Sequence, residues 1–448
     1  MSPGLIVVSI VLSIAILVYL TVKVKLHPFF ALTAAALVFG ILTGQSIPDI
    51  IEAFSEGLGG TISGIGVVIA IGTVMGTLLE KSGAAETMAK SILKITGNKH
   101  AALGLAATGY FVSIPVFCDS AFVILSPLAK RLCRDTEVSM TTMALSLAMG
   151  LHATHMLVPP TPGPLAVTGI IGADLGLVIL LGMVVSIPVT LVGYYLSCYY
   201  GKKFHYLPES IEDTADDNKK LPGTFQAFTP ILLPILLMFL NTVAQLDSAP
   251  FGQGMIASIL AATGQPASAL LIGLIFAFFT YRSVHPEDKS IWTFDGEFGE
   301  SLKTAGQIVL IVGAGGAFAS VLKTSHLETI VTNYFSGMAI GILVPFTIGA
   351  IFRTAIGSGT VGMITAASML LPLLDILGFN TPIGLVIAML ACAAGGFMVF
   401  HGNDDFFWVI TTTSEMKPDI AYRTLPIISI AQAVTALILV FILQVILL

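Results

Sequence analysis

The chain has 448 residues, 55% of them hydrophobic and only 10% charged, with a mean hydropathy of +0.94. Soluble domains are about a quarter charged, so a soluble fold of this length would lack the polar surface to cover itself. A formal charge of −6 argues against a nucleic-acid partner, and four scattered cysteines without a CxxC pair argue against a disulfide framework or a zinc site. A lipid bilayer removes the need for polar cover, and 44 glycines suit close packing of membrane helices.

A spanning helix needs about 20 apolar residues. The first apolar run, 4–22, has no basic region before it and no small-residue cleavage site, so it reads as a retained span and not a signal peptide. Further spans are expected at 28–43 and 59–79. The stretch 101–132 is interrupted by small and polar residues at 113–120 and reads as a re-entrant hairpin. Spans at 137–170 and 175–199 complete a first half, 1–200. A charged segment, 201–224, reads as a flexible cytoplasmic linker holding Glu209, Glu212, Asp213, Asp216 and Asp217 beside Lys219 and Lys220. The second half, 225–448, has expected spans at 226–245, 265–282, 302–322, 380–412 and 420–446. Its own interrupted stretch is 338–378, broken at 353–360. Non-helical backbone at membrane depth is tolerated only where it is buried in protein or lines a cavity.

The fold expected is therefore an all-α polytopic membrane protein of two repeats, each with about five transmembrane helices and one re-entrant hairpin. With both termini outside, every Lys and Arg except Lys323 and Arg353 falls in or beside a cytoplasmic segment, a strong positive-inside bias. Four matches at one offset of about 240 residues link the halves. Lys81 to Thr87 matches Lys323 to Thr329, and His27-Pro28 matches Gln265-Pro266. The hairpin breaks match each other, and so do the later breaks, Pro159 to Pro162 and His401 to Asp404. An odd number of crossings per half inverts the second, which carries Lys323 outside as the copy of cytoplasmic Lys81. Inverted repeats with paired broken helices mark secondary transporters, with the site near the midplane where the breaks meet.

The residues of these breaks are the candidate site. Arg353 sits at membrane depth, where a charge costs on the order of 2.5–3.5 kcal/mol or more. A substrate carboxylate would offset that cost, since guanidinium matches it with two parallel hydrogen bonds. A structural pair with Asp119 or Asp404 would offset it too. Ser358, Gly359 and Thr360 form a tip whose following helix points its positive end at an anion. With Ser113, Ser120, Thr161, Thr354 and Asn403 they are the expected substrate contacts. Proton coupling is expected from Asp119, with His155, His152, Asp404 and His401 as further carriers. His152 and His155 share a helix face, but two ligands do not make a zinc site, and no HExxH motif occurs. The adjacent Asp404 and Asp405 would not both stay ionised cheaply unless one faces water. No metal, cofactor or catalytic residue is expected. An intramembrane enzyme using the His and Asp residues is the rival from another class.

Several of these motifs together resemble the gluconate permease family of proton symporters. They are Ile114-Pro-Val-Phe-Cys-Asp119, Val158-Pro-Pro160, Gly313-Ala-Gly-Gly-Ala-Phe318, Arg353-Thr-Ala-Ile-Gly-Ser-Gly-Thr-Val361 and Asn403-Asp-Asp-Phe-Phe-Trp408. The resemblance covers nearly the whole chain. It implies a cytoplasmic (inner) membrane symporter importing a small sugar-acid or hydroxy-acid anion with protons by alternating access. It also implies kinship with an ion-transporter fold in which protomers pair as homodimers. Gluconate, D-serine and glycerate-like acids are substrates within the family, and sodium is the alternative coupling ion. The family's hairpin acid maps to Asp119, its tip to Ser358 and Thr360, and its arginine to Arg353. Three departures alter pocket size or polarity: Asp119 where Glu is usual, Gly359 where Ala is usual, and Thr161 where some members have His. They keep shorter acids, such as glycerate, open.

Overall fold

The computed structural model describes residues 3–208, 220–244, 251, 254–324 and 341–448, and all regular structure among them is helical. The first half runs α1 (Pro3–Val18, extended by a π turn Tyr19–Lys23), α2 (Pro28–Leu42), α3 (Ile47–Lys81), α4 (Ala84–Thr96), α5 (Ala101–Val112), α6 (Cys118–Thr136), α7 (Met140–Leu157), α8 (Pro162–Ile171) and α9 (Leu175–Lys203). The second half runs α10 (Thr224–Ala244), α11 (Met255–Thr263), α12 (Pro266–Val284), α13 (Glu297–Lys323), α14 (Leu343–Ile356), α15 (Gly359–Leu370), α16 (Pro382–Gly395), α17 (Asp405–Ser414) and α18 (Pro418–Leu447). Among the described residues six helices are individually long and apolar enough to cross a bilayer. Their outer faces carry large apolar side chains such as Val184, Tyr195, Phe279 and Val445, exposed where lipid is the solvent.

Both expected hairpins are helix pairs bent at the expected breaks, α5–α6 and α14–α15. The arms α5 and α15 have 12 residues each, about 18 Å at 1.5 Å per residue against about 30 Å of hydrocarbon. Neither arm can cross alone. The expected continuous spans 137–170 and 380–412 are corrected by the structure, because each is two helices. In the first, Pro159, Pro160 and Pro162 remove three N–H donors within four residues, so α7 stops at Leu157 and Pro162 opens α8. In the second, α16 ends in Gly395-Gly396, and Asp404 caps a new helix after a non-helical stretch.

Two other differences come from polar residues that hide helix from hydropathy. Helix α3 begins at Ile47 and not near 59, because Ser46 caps it, its Oγ accepting from the Asp49 N–H at 3.3 Å. Helix α4 carries no span signal in the sequence, because it is too polar to cross a membrane. It buries Ala84, Ala85, Met88 and Ala89 and turns an exposed Glu86–Lys90 pair outward at 2.9 Å. Residues 209–219 and the Ser325 to Thr329 part of the Lys323 repeat lie outside the described residues. The described linker ends are pinned: the Tyr206 hydroxyl donates to the Ser414 carbonyl at 2.7 Å, and the Thr87 hydroxyl to the Pro222 carbonyl at 3.1 Å.

Packing follows a pattern that recurs in the two halves. The long helices α3 and α13 lie against each other; α5 packs on α7 and α7 on α9, as α14 packs on α16 and α16 on α18. The second arm of each hairpin crosses to the other half, α6 onto α17 and α15 onto α8. Glycines set the closest approaches. A Cβ on Gly109 or Gly150 would strike the facing backbone of α7 or α5, and one on Gly349 or Gly395 would strike that of α16 or α14. The same contact thus occurs in both halves.

Gly150→Val is expected to destabilise the fold by about 1–3 kcal/mol through overpacking of the α5–α7 seam. Gly59→Val, where a Cβ meets open space, should leave stability unchanged. Thermal unfolding of detergent-solubilised variants checks the contrast; equal melting points would contradict this account of the seam.

Candidate functional site

The breaks deliver helix ends to one place. In the first hairpin α6 begins at Cys118, which puts Asp119 in the first turn, at the positive end of the helix dipole. In the second, α14 ends with Arg353 in its last turn, at the negative end. Gly357 follows with φ +87°, a backbone conformation that favours glycine, and a Cβ there would strike the Asn403 backbone and side chain. Ser358 then caps α15, its Oγ accepting from the Val361 N–H at 3.4 Å. Asn403 Nδ2 donates to the Thr354 carbonyl at 3.0 Å, tying the late break to this hairpin.

These ends wall a cavity of about 620 Å³, within the range that holds small ligands. From the expected substrate contacts it gathers Arg353, Ser358, Gly359, Thr360 and Asn403. From the expected proton carriers it gathers Asp119, His152, His155 and Asp404, with Asp405 beside them. The first turns of α6, α15 and α17 all contribute to the wall, so three positive helix ends meet there. Thr21, Lys25 and Pro28 bound one side, and Lys25 is exposed.

Five expected residues stand off this wall. Ser113 is buried inside the hairpin turn, its hydroxyl donating to the Val116 carbonyl at 3.4 Å. The Thr161 hydroxyl donates to the carbonyls of His155 at 3.0 Å and Val158 at 2.7 Å, covering acceptors freed by the prolines. Ser120, Thr354 and His401 are half-buried and do not line the cavity.

Arg353 is 2% exposed, and its Nη2 lies 2.5 Å from Asp404 Oδ2. Asp404 Oδ1 accepts from the Phe406 N–H at 2.8 Å, so this acid is both counter-ion and helix cap. Of the two ways to offset the arginine's cost, the unliganded structure uses the pair with Asp404. The pair leaves Nε and Nη1 buried without partners. Nη1 stands next to Nη2 on the fork, so an incoming carboxylate can take one hydrogen from each. Asp119 makes no ion pair among the described residues, and its Oδ1 is buried without a partner.

Sequence reasoning missed Lys25, Met156, Phe400 and Gln432. In the sequence Lys25 signals only topology, as one of the positive-inside basic residues. Met156 lines the cavity beside Gly359. Phe400 carries the Arg353 guanidinium 5.4 Å from its ring centre. Gln432 bonds His152 from outside the cavity; a lone amide in an otherwise apolar stretch of helix was the available signal.

Asp404→Asn would strand a buried guanidinium and is expected to cost about 3–5 kcal/mol of stability. Arg353→Met combined with Asp404→Leu should restore most of that loss. A double variant no more stable than Asp404→Asn would show that the pair is not the source of the cost.

A family model described as GntP family permease matches residues 5–446. An uncharacterized permease of Haemophilus influenzae is 36% identical over 422 residues, covering 90% of this chain and 85% of that one. A gluconate permease of Pseudomonas aeruginosa is 31% identical, covering 96% of each. The crystal structure of the Alcanivorax borkumensis YdaH transporter superposes with a TM-score of 0.67 over 93% of this chain and 97% of that one. At 15% identity that likeness is one of fold. A multi-pass membrane fold, matched along almost its full length by permeases, identifies this chain as a member of the GntP family of permeases.

Proposed function

We propose that this permease imports a small hydroxy-acid or sugar-acid anion together with protons, by alternating access, across the cytoplasmic membrane. The observation that carries the reading is Arg353: a buried guanidinium with Nε and Nη1 unpartnered, at a cavity walled by three helix N-termini. The P. aeruginosa relative is a gluconate permease, and such acids match the donors of this wall. Ser358, Thr360 and Asn403 serve the substrate's hydroxyls.

Charge balance supports a coupled cation. Asp404 already neutralises Arg353, which leaves Asp119 and Asp405 against Lys25 around the cavity. An incoming anion adds more negative charge in a medium that penalises it. A proton on Asp119 relieves this, since that carboxylate has no cation of its own. Sodium would relieve it too, and so would an ammonium carried by the substrate itself, as in D-serine. The repeat pattern fits the transport cycle. Packing that recurs in both halves, with hairpin arms crossing between them, suits two inverted repeats rocking about one site. With the N-terminus outside, as this reading has it, Lys25 marks the cytoplasmic side of the cavity.

Purified protein in liposomes is expected to accumulate labelled D-gluconate or D-glycerate when an inward proton gradient is imposed. A protonophore should abolish accumulation. Uptake that ignores the protonophore but requires sodium would transfer coupling to that ion, and accumulation of D-serine alone would move the substrate to an amino acid. Arg353→Lys keeps the charge but loses the planar fork, and uptake should fall about tenfold or more, about 1.4 kcal/mol or more of binding. Asp119→Asn should keep acid exchange between loaded vesicles but lose gradient-driven accumulation. Accumulation retained in that variant would remove Asp119 from coupling.

A further inference from the structure

Behind the cavity, on α18, lies a buried amide whose orientation is decided by its neighbours. Gln432 is 0% exposed. Its Nε2 donates to the carbonyls of Met149 at 3.1 Å and Val189 at 3.3 Å. Carbonyl oxygens only accept, so the amide NH2 must occupy that end and the amide oxygen the other. That oxygen, Oε1, stands 3.4 Å from His152 Nδ1. Two oxygens and two hydrogens thus leave one arrangement: Nδ1 carries a hydrogen and donates it to Gln432. In the neutral ring the other nitrogen, Nε2, is then bare and can only accept.

His152 Nε2 has no partner, although the residue is 2% exposed and lines the cavity. The ring is held in place by aromatic neighbours. It stacks on Phe400 at 5.1 Å and 23°, and meets Phe397 edge-on at 5.0 Å and 80°. Phe400 also bears the Arg353 guanidinium. A fixed acceptor and a carboxylate-binding donor are therefore anchored on one aromatic ring.

A carboxylate cannot satisfy both, because it has no hydrogen for Nε2. We propose that His152 Nε2 accepts a hydrogen bond from a hydroxyl of the carried acid, and that Gln432 is the positioning residue that holds the imidazole in this tautomer. The inference rests on Arg353 as the carboxylate partner. It specifies the substrate further: an acid with a donor hydroxyl within reach of a carboxylate bound at Arg353. A site built to bond a hydroxyl rejects the analogue that lacks it far more strongly than a merely apolar pocket would.

The test compares binding of D-glycerate with 3-hydroxypropanoate, D-lactate and propanoate, and of D-gluconate with 2-deoxy-D-gluconate, by calorimetry on the purified protein. In the wild type, loss of one particular hydroxyl is expected to weaken binding at least about tenfold. In Gln432→Met, of similar shape but without the amide, that ratio should collapse to about two or less, with the deoxy acid bound as before. Equal weakening of hydroxy and deoxy acids would mean that Nε2 serves Arg353 or the fold, and would overturn the proposal. Histidine 15N spectra of the wild type give a check that needs no variant. They should show one buried ring protonated at Nδ1 and bare at Nε2, whose Nε2 signal moves when D-glycerate is added and which vanishes in His152→Gln. A ring protonated at Nε2 instead would overturn the proposal. If neither glycerate, gluconate nor any analogue binds the wild type, the carboxylate reading of Arg353 falls, and this inference falls with it. Acids that bind without hydroxyl discrimination would sink the inference alone.

Discussion

A guanidinium buried at membrane depth is the constraint that organises this molecule. Left alone, Arg353 would cost several kcal/mol, so other segments must come to it. Asp404 supplies the charge, the last turn of α14 supplies the negative end of a helix dipole, and Phe400 supplies a ring face. These groups lie some 50 residues apart in sequence. They can meet only because the span 380–412 breaks where the second hairpin turns. The Asn403 bond to the Thr354 carbonyl fixes that meeting, and Gly357 leaves room for it. Broken helices, which a membrane normally penalises, are what the buried charge requires.

The two halves handle charge differently at corresponding places. Asp119 lies in the first turn of α6, and Gly359 and Thr360 open α15. The first hairpin thus brings an acid where the second brings small and hydroxyl groups. The acid of the first half stands without a cation, while the arginine of the second is only partly occupied by its counter-ion. In the proposed cycle the first vacancy takes a proton and the second takes a carboxylate. A site divided in this way can bind both with one set of helix ends.

Much of this was legible in the sequence, for identifiable reasons. Arg353, Asp119 and the breaks at 113–120 and 353–360 stand out because polar residues are costly in an apolar chain, so each is a signal. The positions of Ser113 and Thr161 misled for the same reason: a polar residue at a break can face a ligand or simply cover carbonyls left by a stopped helix. Only the placed hydroxyls distinguish these roles. The choice between Asp119 and Asp404 as the arginine's partner was equally open, because it depends on which helix ends converge. Gln432 is hidden in a long apolar run near the C-terminus, where window-averaged hydropathy absorbs one amide. Helix α4 and the start of α3 were hidden by their charges. The two long spans were read as single because hydropathy does not register where a proline or glycine ends a helix.

The central claim is that the cavity reads a carboxylate through Arg353. The most direct measurement is competition for labelled D-gluconate binding between unlabelled D-gluconate and D-gluconamide, which has the same hydroxyls and nearly the same shape but no charge. A charge-assisted bond to a buried guanidinium is about twice as strong as a neutral one. The account predicts that the amide competes at least about tenfold more weakly, a difference of about 1.4 kcal/mol. An amide that competes as well as the acid would contradict it.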